Sequence, residues 1–122
     1  MKVAKIETDR LALRLRGAGD VNIESLDADR LDVDLPGAGR ISVAGRVVEQ
    51  TVTVSGAGSY DAPKLESQKA KATLNGLGSA IVWAVEELDA TIRGLGSESY
   101  YGTPSVRQEI SGAGSVKGLG DP

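Results

Sequence analysis

The stretch that decides the fold is residues 52–62, which read VTVSGAGSYDA. Apolar and polar residues alternate before the two glycines, and a second alternating run begins directly after them. Such alternation is typical of a β-strand with one buried face, and Gly-x-Gly between two strands is typical of a sharp corner. The stretch therefore predicts a strand, a corner and a second strand in succession.

The same tripeptide recurs along the chain, with 20, 19, 20, 18 and 18 residues between successive first glycines. The residue two positions before each copy is always aliphatic: Leu15, Leu35, Val54, Leu74, Ile92 and Ile110. A seventh copy, Gly118-Leu119-Gly120, breaks the spacing. A regular period of this length predicts a solenoid. We predict an all-β fold, a single-stranded parallel β-helix (β-solenoid) of about 5–6 turns of 18–20 residues, right-handed, with two main strands per turn.

Outward positions give an independent test of this stacking. Three residues before each corner, Arg14 is followed one repeat later by Asp34, and then come Thr53, Thr73 and Thr91. Five residues before, the charges alternate in sign through Lys71, Asp89 and Arg107. Opposite charges and threonine pairs are favourable between neighbouring strands, so these columns indicate turns stacked in register.

The corners have a backbone explanation. Glycine adopts a positive φ without penalty, so we expect the glycines to form the bends. The residue between them is always Ala or Leu and is predicted to point inward. A phosphate-binding loop would need Gly-x-Gly-x-x-Gly between a strand and a helix, and no copy meets that condition.

Composition excludes several function classes. The chain has 14 basic and 17 acidic residues, a net charge of −3, which argues against nucleic acid as a ligand. It has no His and no Cys, which excludes Ser-His-Asp triads, His metal sites, thiolate sites and disulfides. No run approaches the roughly 18 apolar residues of a membrane helix, and we expect almost no helix of any kind.

Several carboxylates are candidate functional groups. Asp20 lies in a stretch similar to the calcium-binding β-roll, but Arg40 and then serines occupy its offset in later repeats, so no column of ligands forms. The acidic patch Glu24, Asp27, Asp29, Asp32 and Asp34 is compatible with calcium, with glycoside hydrolysis or with solvated turn residues. The competing hypothesis is a carbohydrate-active enzyme, a lyase or hydrolase on a β-helix, with Asp32, Asp34 or the Glu86/Glu87 pair as acids. We assign no catalytic, cofactor or metal residues and predict that the chain is not an enzyme.

Two aromatic residues share one outward offset. Trp83 and Tyr101 each lie seven residues after the first glycine of adjacent repeats and should therefore be side by side on the surface. Paired exposed rings are a platform for sugars or for a partner protein, and they also serve as an aromatic rung that shields a sheet. We single out this pair as the candidate partner or glycan surface.

Three segments together carry a family resemblance: VSGAGSYDA at 54–62, LNGLGS at 74–79 and YGTP at 101–104. They resemble the putative auto-transporter adhesin, head GIN domain family, over about residues 11–120 and in the carboxy-terminal part of that domain. The resemblance implies a β-helix-like fold on exported or envelope-associated bacterial proteins, with an adhesive or scaffolding role. It carries over no catalytic residues.

The expected organisation is one solenoid domain over residues 1–122 that lacks its amino-terminal part, with an irregular terminal segment over 115–122. We expect a non-catalytic structural or interaction module without cofactors, whose partner is a cell-envelope polymer, a glycan or a protein. If a signal peptide precedes the sequence, the location is extracytoplasmic, either periplasmic or at the cell surface. The open first and last turns expose strand edges, which predicts self-association.

Overall fold

The computed structural model describes the backbone of residues 2–120 and the side chains of residues 4–120. Within that range all regular structure is β-strand, as predicted: β1 (Lys2–Val3), β2 (Ile6–Glu7), β3 (Arg10–Arg14), β4 (Asp20–Leu35), β5 (Arg40–Val54), β6 (Ser59–Leu74), β7 (Ser79–Gly94), β8 (Ser97–Tyr101), β9 (Ser105–Gly112) and β10 (Ser115–Gly118). The described part of the chain contains no helix that could cross a membrane.

All strand pairs are parallel, and each strand lies beside its equivalent in the next repeat. Val54 lies opposite Leu35 and Leu74, and Leu74 lies opposite Ile92, so the predicted aliphatic column is continuous. The outward columns are confirmed as well, because Thr53, Thr73 and Thr91 are register partners. These pairings form a β-solenoid of about six turns, as predicted.

The prediction of two main strands per turn is wrong for the central turns, whereas the turn between the corners at 94–96 and 112–114 does contain two strands, β8 and β9. Each central turn contains a single strand of 15 or 16 residues, and its register with the neighbouring turn shifts partway along. Between β4 and β5, for example, the shift lies between the pairs of Ile23 and Leu26. Because successive repeats differ in length, the extra residues are absorbed as bulges, which bend a strand without ending it.

The interior is narrow and aliphatic, which agrees with a sequence that has no Phe and only four aromatic residues. Residues of alternating positions on β4–β7 are buried, and Leu31, Ile41, Leu65 and Leu74 have no exposed surface. Tyr60 is the largest fully buried side chain. Its neighbours in the same column are Ile41 and Ala80, so a small residue in the next turn leaves room for the ring.

The corners are glycine mainly for a reason other than the one predicted. Of the first glycines of the six regular corners, only Gly17, Gly94 and Gly112 have a positive φ. At Gly76 an added Cβ would lie 2.7 Å from the carbonyl oxygen of Gly56 in the preceding turn. The corners of successive turns are in direct backbone contact, and a side chain at this position would separate them.

The residue inside the corner points outward, which corrects the prediction that it points inward. Leu77 is 66% exposed and Leu95 is 63% exposed. The physical reason is that the middle residue occupies the outer tip of the bend, where the alternation of the flanking strands no longer applies. Strand β10 also occupies part of the segment predicted to be irregular: Ser115 and Val116 repeat the offsets of Ser97 and Glu98 and pair with them.

Candidate interaction surface

Trp83 and Tyr101 lie opposite each other on the neighbouring strands β7 and β8. Both side chains are half-buried, and neighbouring strands are about 4.8 Å apart. Both rings therefore belong to one outward row that follows the solenoid axis. Whether this pair binds a partner stays a prediction.

The row continues on the amino-terminal side with an ion pair. Glu66 is the register partner of Trp83 on one side and of Arg46 on the other. The Nε atom of Arg46 lies 3.4 Å from Oε2 of Glu66. Arg46, Glu66, Trp83 and Tyr101 thus form a four-turn row, two members of which are charged and two aromatic. We call it the aromatic row.

Glycine and apolar residues border the two rings. A Cβ on Gly102 would lie 3.1 Å from Cδ1 and 3.2 Å from Nε1 of Trp83, so the indole lies directly against the backbone of Gly102. Val85 is 39% exposed on the strand of Trp83, and Leu119, whose backbone nitrogen donates to the carbonyl of Tyr100, is 37% exposed. The surface around the rings is therefore partly apolar.

Beneath the aromatic row the interior contains three buried polar side chains that the sequence analysis did not select. Tyr60 Oη donates to Gln50 Oε1 at 2.8 Å, and Gln50 Nε2 donates to Ser67 Oγ at 2.9 Å. Ser67 Oγ donates to the backbone carbonyl of Trp83 at 2.7 Å. The Tyr60 hydroxyl is a donor at neutral pH, as any tyrosine hydroxyl is, and desolvation raises its pKa further. The feature of the sequence that could have revealed these buried polar groups was Gln50, a polar residue at an inward offset.

Glu98 is a second buried group that the sequence analysis missed. It is 1% exposed, and neither carboxyl oxygen has a hydrogen-bond partner within the described residues. It lies between Ala80 and Val116 in the inward column that also contains Tyr60. Burial raises the pKa of Glu98 to about 8. Its offset, four residues after the first glycine of a corner, is occupied by Val21 and Ile41 in earlier repeats and was the available signal.

The carboxylates proposed as catalytic acids are engaged in ion pairs or lie on the surface. Oδ2 of Asp32 lies 3.1 Å from Nη2 of Arg10, and Oδ2 of Asp34 lies 3.2 Å from Nε of Arg14. Both ion pairs connect neighbouring turns. Glu86 and Glu87 are exposed. Within residues 2–120, the acidic side chains do not come together in groups of three or more that could hold a metal ion. The structure therefore does not bring the acidic patch together as one site.

The geometry defines a parallel β-solenoid that presents ordered columns of side chains on its outer surface. The family model described as "Putative auto-transporter adhesin, head GIN domain" matches residues 1–104, and the chain therefore belongs to this family. Curated proteins give no significant match.

Several solved structures from Parabacteroides are similar to this chain, each over 97% of its length. A protein described as a putative lipid binding protein from Parabacteroides distasonis ATCC 8503 has 27% identity and a TM-score of 0.89. Putative adhesins from Parabacteroides merdae ATCC 43184 and Parabacteroides distasonis ATCC 8503 have identities of 26% and 27% and TM-scores of 0.88 and 0.84. The matches cover 50%, 50% and 53% of those chains, so this chain spans about half their length.

Proposed function

We propose that this chain is a non-catalytic interaction module of an exported or envelope-associated bacterial protein, and that it binds a cell-envelope glycan along the aromatic row. The observation that carries the proposal is the in-register pair Trp83 and Tyr101 on a continuous sheet. Membership of an adhesin-like family supports an interaction role and an extracytoplasmic location.

The chemistry of the aromatic row suits an extended sugar polymer. Aromatic rings offer large, rigid contact surfaces to the apolar faces of sugar rings. The neighbouring pair Arg46 and Glu66 offers charged donors and acceptors to hydroxyl groups. Because successive members of the row follow the solenoid axis, a polymer chain lying along that axis would meet aromatic and polar side chains in turn.

Fluorescence titration tests the proposal directly, because Trp83 is the only tryptophan in the chain. The probes are soluble peptidoglycan glycan strands, lipopolysaccharide O-polysaccharide and a neutral β-glucan. We expect at least one of them to quench or shift the emission. Tyr101→Ala should weaken that binding about tenfold, which corresponds to about 1.4 kcal/mol.

Leu95→Ala is the matched control, since it removes an exposed side chain at a corner outside the aromatic row. It should leave the affinity unchanged. A Trp83 spectrum that none of the three polymers alters would contradict glycan binding.

A second candidate is binding to a lipid surface. The exposed Val85 and Leu119 beside the rings favour it, and so does the description of one similar structure as a putative lipid binding protein. Vesicles of phosphatidylethanolamine and phosphatidylglycerol should then shift the Trp83 emission to the blue. The double variant Val85→Ser/Leu119→Ser should abolish the shift with vesicles but retain binding to glycans. An unaltered spectrum with vesicles would exclude this candidate.

The carbohydrate-active alternative has a separate test. Reducing-end and unsaturated-product assays on pectin and on the three glycans above should show no product. Asp32 is held by Arg10, so we expect Asp32→Ala to affect stability slightly rather than turnover. Product formation that disappears in Asp32→Ala would show that the chain is an enzyme.

A further inference from the structure

A directional chain of hydrogen bonds crosses the interior and ends on the backbone of the aromatic row. It comprises Tyr60, Gln50 and Ser67, of which Tyr60 and Ser67 have no exposed surface and Gln50 is 1% exposed. Each hydrogen bond is between 2.7 and 2.9 Å long. The three side chains come from β5 and β6, and the final acceptor, the Trp83 carbonyl, lies on β7.

The Trp83 carbonyl determines the donor-to-acceptor direction of all three hydrogen bonds. A carbonyl oxygen can only accept, so the Ser67 hydroxyl must donate to it. The Ser67 oxygen then accepts from the Gln50 amide nitrogen, which places the amide oxygen of Gln50 toward Tyr60. The Tyr60 hydroxyl must therefore donate. One orientation of all three groups satisfies every bond, so the three side chains form a single hydrogen-bonded network from Tyr60 to the Trp83 carbonyl.

Trp83 lies where the β6–β7 ladder is least regular. The register shifts between Asp61 and Glu66 and again between Ser67 and Lys69, so Glu66 and Ser67 form a short paired segment with an irregularity on each side. A backbone at such an interruption is held by fewer ladder hydrogen bonds than one in a regular strand. Ser67 supplies a side-chain hydrogen bond at this point.

We propose that Ser67, Gln50 and Tyr60 are positioning residues that fix the backbone of Trp83 and thereby the geometry of the aromatic row. The effect on ligand affinity rests on the proposed function, whereas the effect on the order of Trp83 does not. A row held from the interior keeps its rings aligned without a ligand, which lowers the entropy lost on binding.

The test measures the order of Trp83 in the folded protein without ligand. Ser67→Ala removes the bond to the carbonyl, and Tyr60→Phe removes only the most distant donor. We expect acrylamide quenching of Trp83 to increase and its fluorescence anisotropy to decrease in both variants, more strongly in Ser67→Ala. Ser79→Ala, which alters a half-buried serine of β7, is the control and should match the wild type.

Measurements well below the unfolding midpoint separate positioning from simple stabilisation. A purely structural role would lower the melting temperature and leave the quenching of the folded state unchanged. That outcome in both variants would overturn the proposal. If Ser67→Ala does not fold, the nearly isosteric Tyr60→Phe decides alone, and unchanged quenching in it overturns the proposal.

Ligand binding provides the second readout. If a glycan or vesicle binds the wild type, Ser67→Ala should lower the affinity about five- to tenfold, a loss of about 1 to 1.4 kcal/mol. An unchanged affinity would count against the proposal. If neither probe binds the wild type, the proposed function fails, and the quenching experiment still decides the positioning role.

Discussion

Glu98 shows how one residue in an otherwise aliphatic column changes the response of the fold to pH. The carboxyl group lies between Ala80 and Val116, without a hydrogen-bond partner in the described chain. Burial without a partner disfavours the charged form and raises the pKa of Glu98 to about 8. At neutral pH the folded protein therefore keeps this proton, whereas the unfolded chain releases it.

Glu98 should make the fold less stable as the pH rises. The folded state holds the Glu98 proton more tightly than the unfolded state does. This contribution of Glu98 to the free energy of unfolding is fully present below the ordinary carboxyl pKa, and it is lost as the pH rises from there through about 8. The free energy of unfolding of the wild type should fall relative to Glu98→Gln by up to about 1.4 kcal/mol per pH unit in that window. Urea unfolding of both proteins at several pH values measures the difference. Glu87→Gln, at an exposed position, is the control, and parallel curves for wild type and Glu98→Gln would contradict the prediction.

The aliphatic columns are equally sensitive to a single charge. Leu74 and Ile92 are fully buried and are register partners. Leu74→Asp or Ile92→Asp should unfold the chain, because a buried unpaired carboxylate costs several kcal/mol, which is comparable with the whole stability of a small domain. Circular dichroism melts measure the effect. Thr73→Asp, on the outward side of the strand that contains Leu74, should remain folded. Wild-type melting temperatures in both core variants would refute the burial of Leu74 and Ile92 in the interior.

At the scale of elements, the strands of successive turns are connected by corners whose backbones touch. The Ser59 nitrogen donates to the Gly39 carbonyl at 3.0 Å, and the Ala38 nitrogen donates to the Gly17 carbonyl at 2.9 Å. The glycines thus allow the hydrogen-bond ladder to continue around the bend. Ion pairs such as Arg14 with Asp34 add to the stacking, but because they are largely exposed each contributes about 0–1 kcal/mol.

Alanine substitutions at equivalent corner glycines should have unequal effects. At Gly58 an added Cβ would lie 2.7 Å from the Gly39 carbonyl oxygen, whereas at Gly19 the nearest atom is Cδ1 of Leu15 at 3.8 Å. Gly58→Ala should lower the free energy of unfolding by about 1–3 kcal/mol, the usual cost of overpacking. Gly19→Ala should change it by less than about 0.5 kcal/mol or increase it slightly. Urea unfolding compares the two, and equal effects would show that close contact is not the reason for the glycines.

Over the whole molecule, stability comes from contacts between neighbouring turns, as is general for solenoids. Each central strand packs chiefly against the strands one turn before and after it. The last long strand, β9, pairs with β7 on one side, and all eight of its residues are exposed. Val106 and Ile110, whose counterparts in the preceding turn are buried, are each 38% exposed.

The exposed edge of β9 leads to a prediction about self-association. Among residues 2–120, β7 is the one strand that pairs with β9. A strand edge with apolar side chains can pair with another chain, so we expect the light scattering of the 122-residue chain to increase with concentration. Val106→Lys/Ile110→Lys should suppress the increase by placing charges at the edge. Val48→Lys, at a surface position that is 48% exposed on β5, should not. A wild-type chain that stays monomeric over the whole concentration range would contradict the prediction.

Alternation and the repeat period predicted correctly what depends on local geometry and regular stacking. They identified the aliphatic column through Leu35, Val54 and Leu74, the threonine column and the adjacency of Trp83 and Tyr101, because side chains alternate along a strand and equivalent offsets stack. They missed features that depend on how a turn closes. The bulges depend on where residues of unequal repeats meet, and Leu77 points outward because it lies at the tip of a bend. Glu98 occupies an inward offset that alternation does give, but its charge argued against a buried position.

The hydrogen bonds that link Tyr60, Gln50 and Ser67 to the Trp83 carbonyl are another feature that alternation and the repeat period missed. It joins residues 10, 17 and 16 positions apart, which meet only after two turns enclose the interior. A one-dimensional pattern specifies which side of a strand a residue faces. The partner that a buried polar atom reaches across the interior is specified by the packed turns.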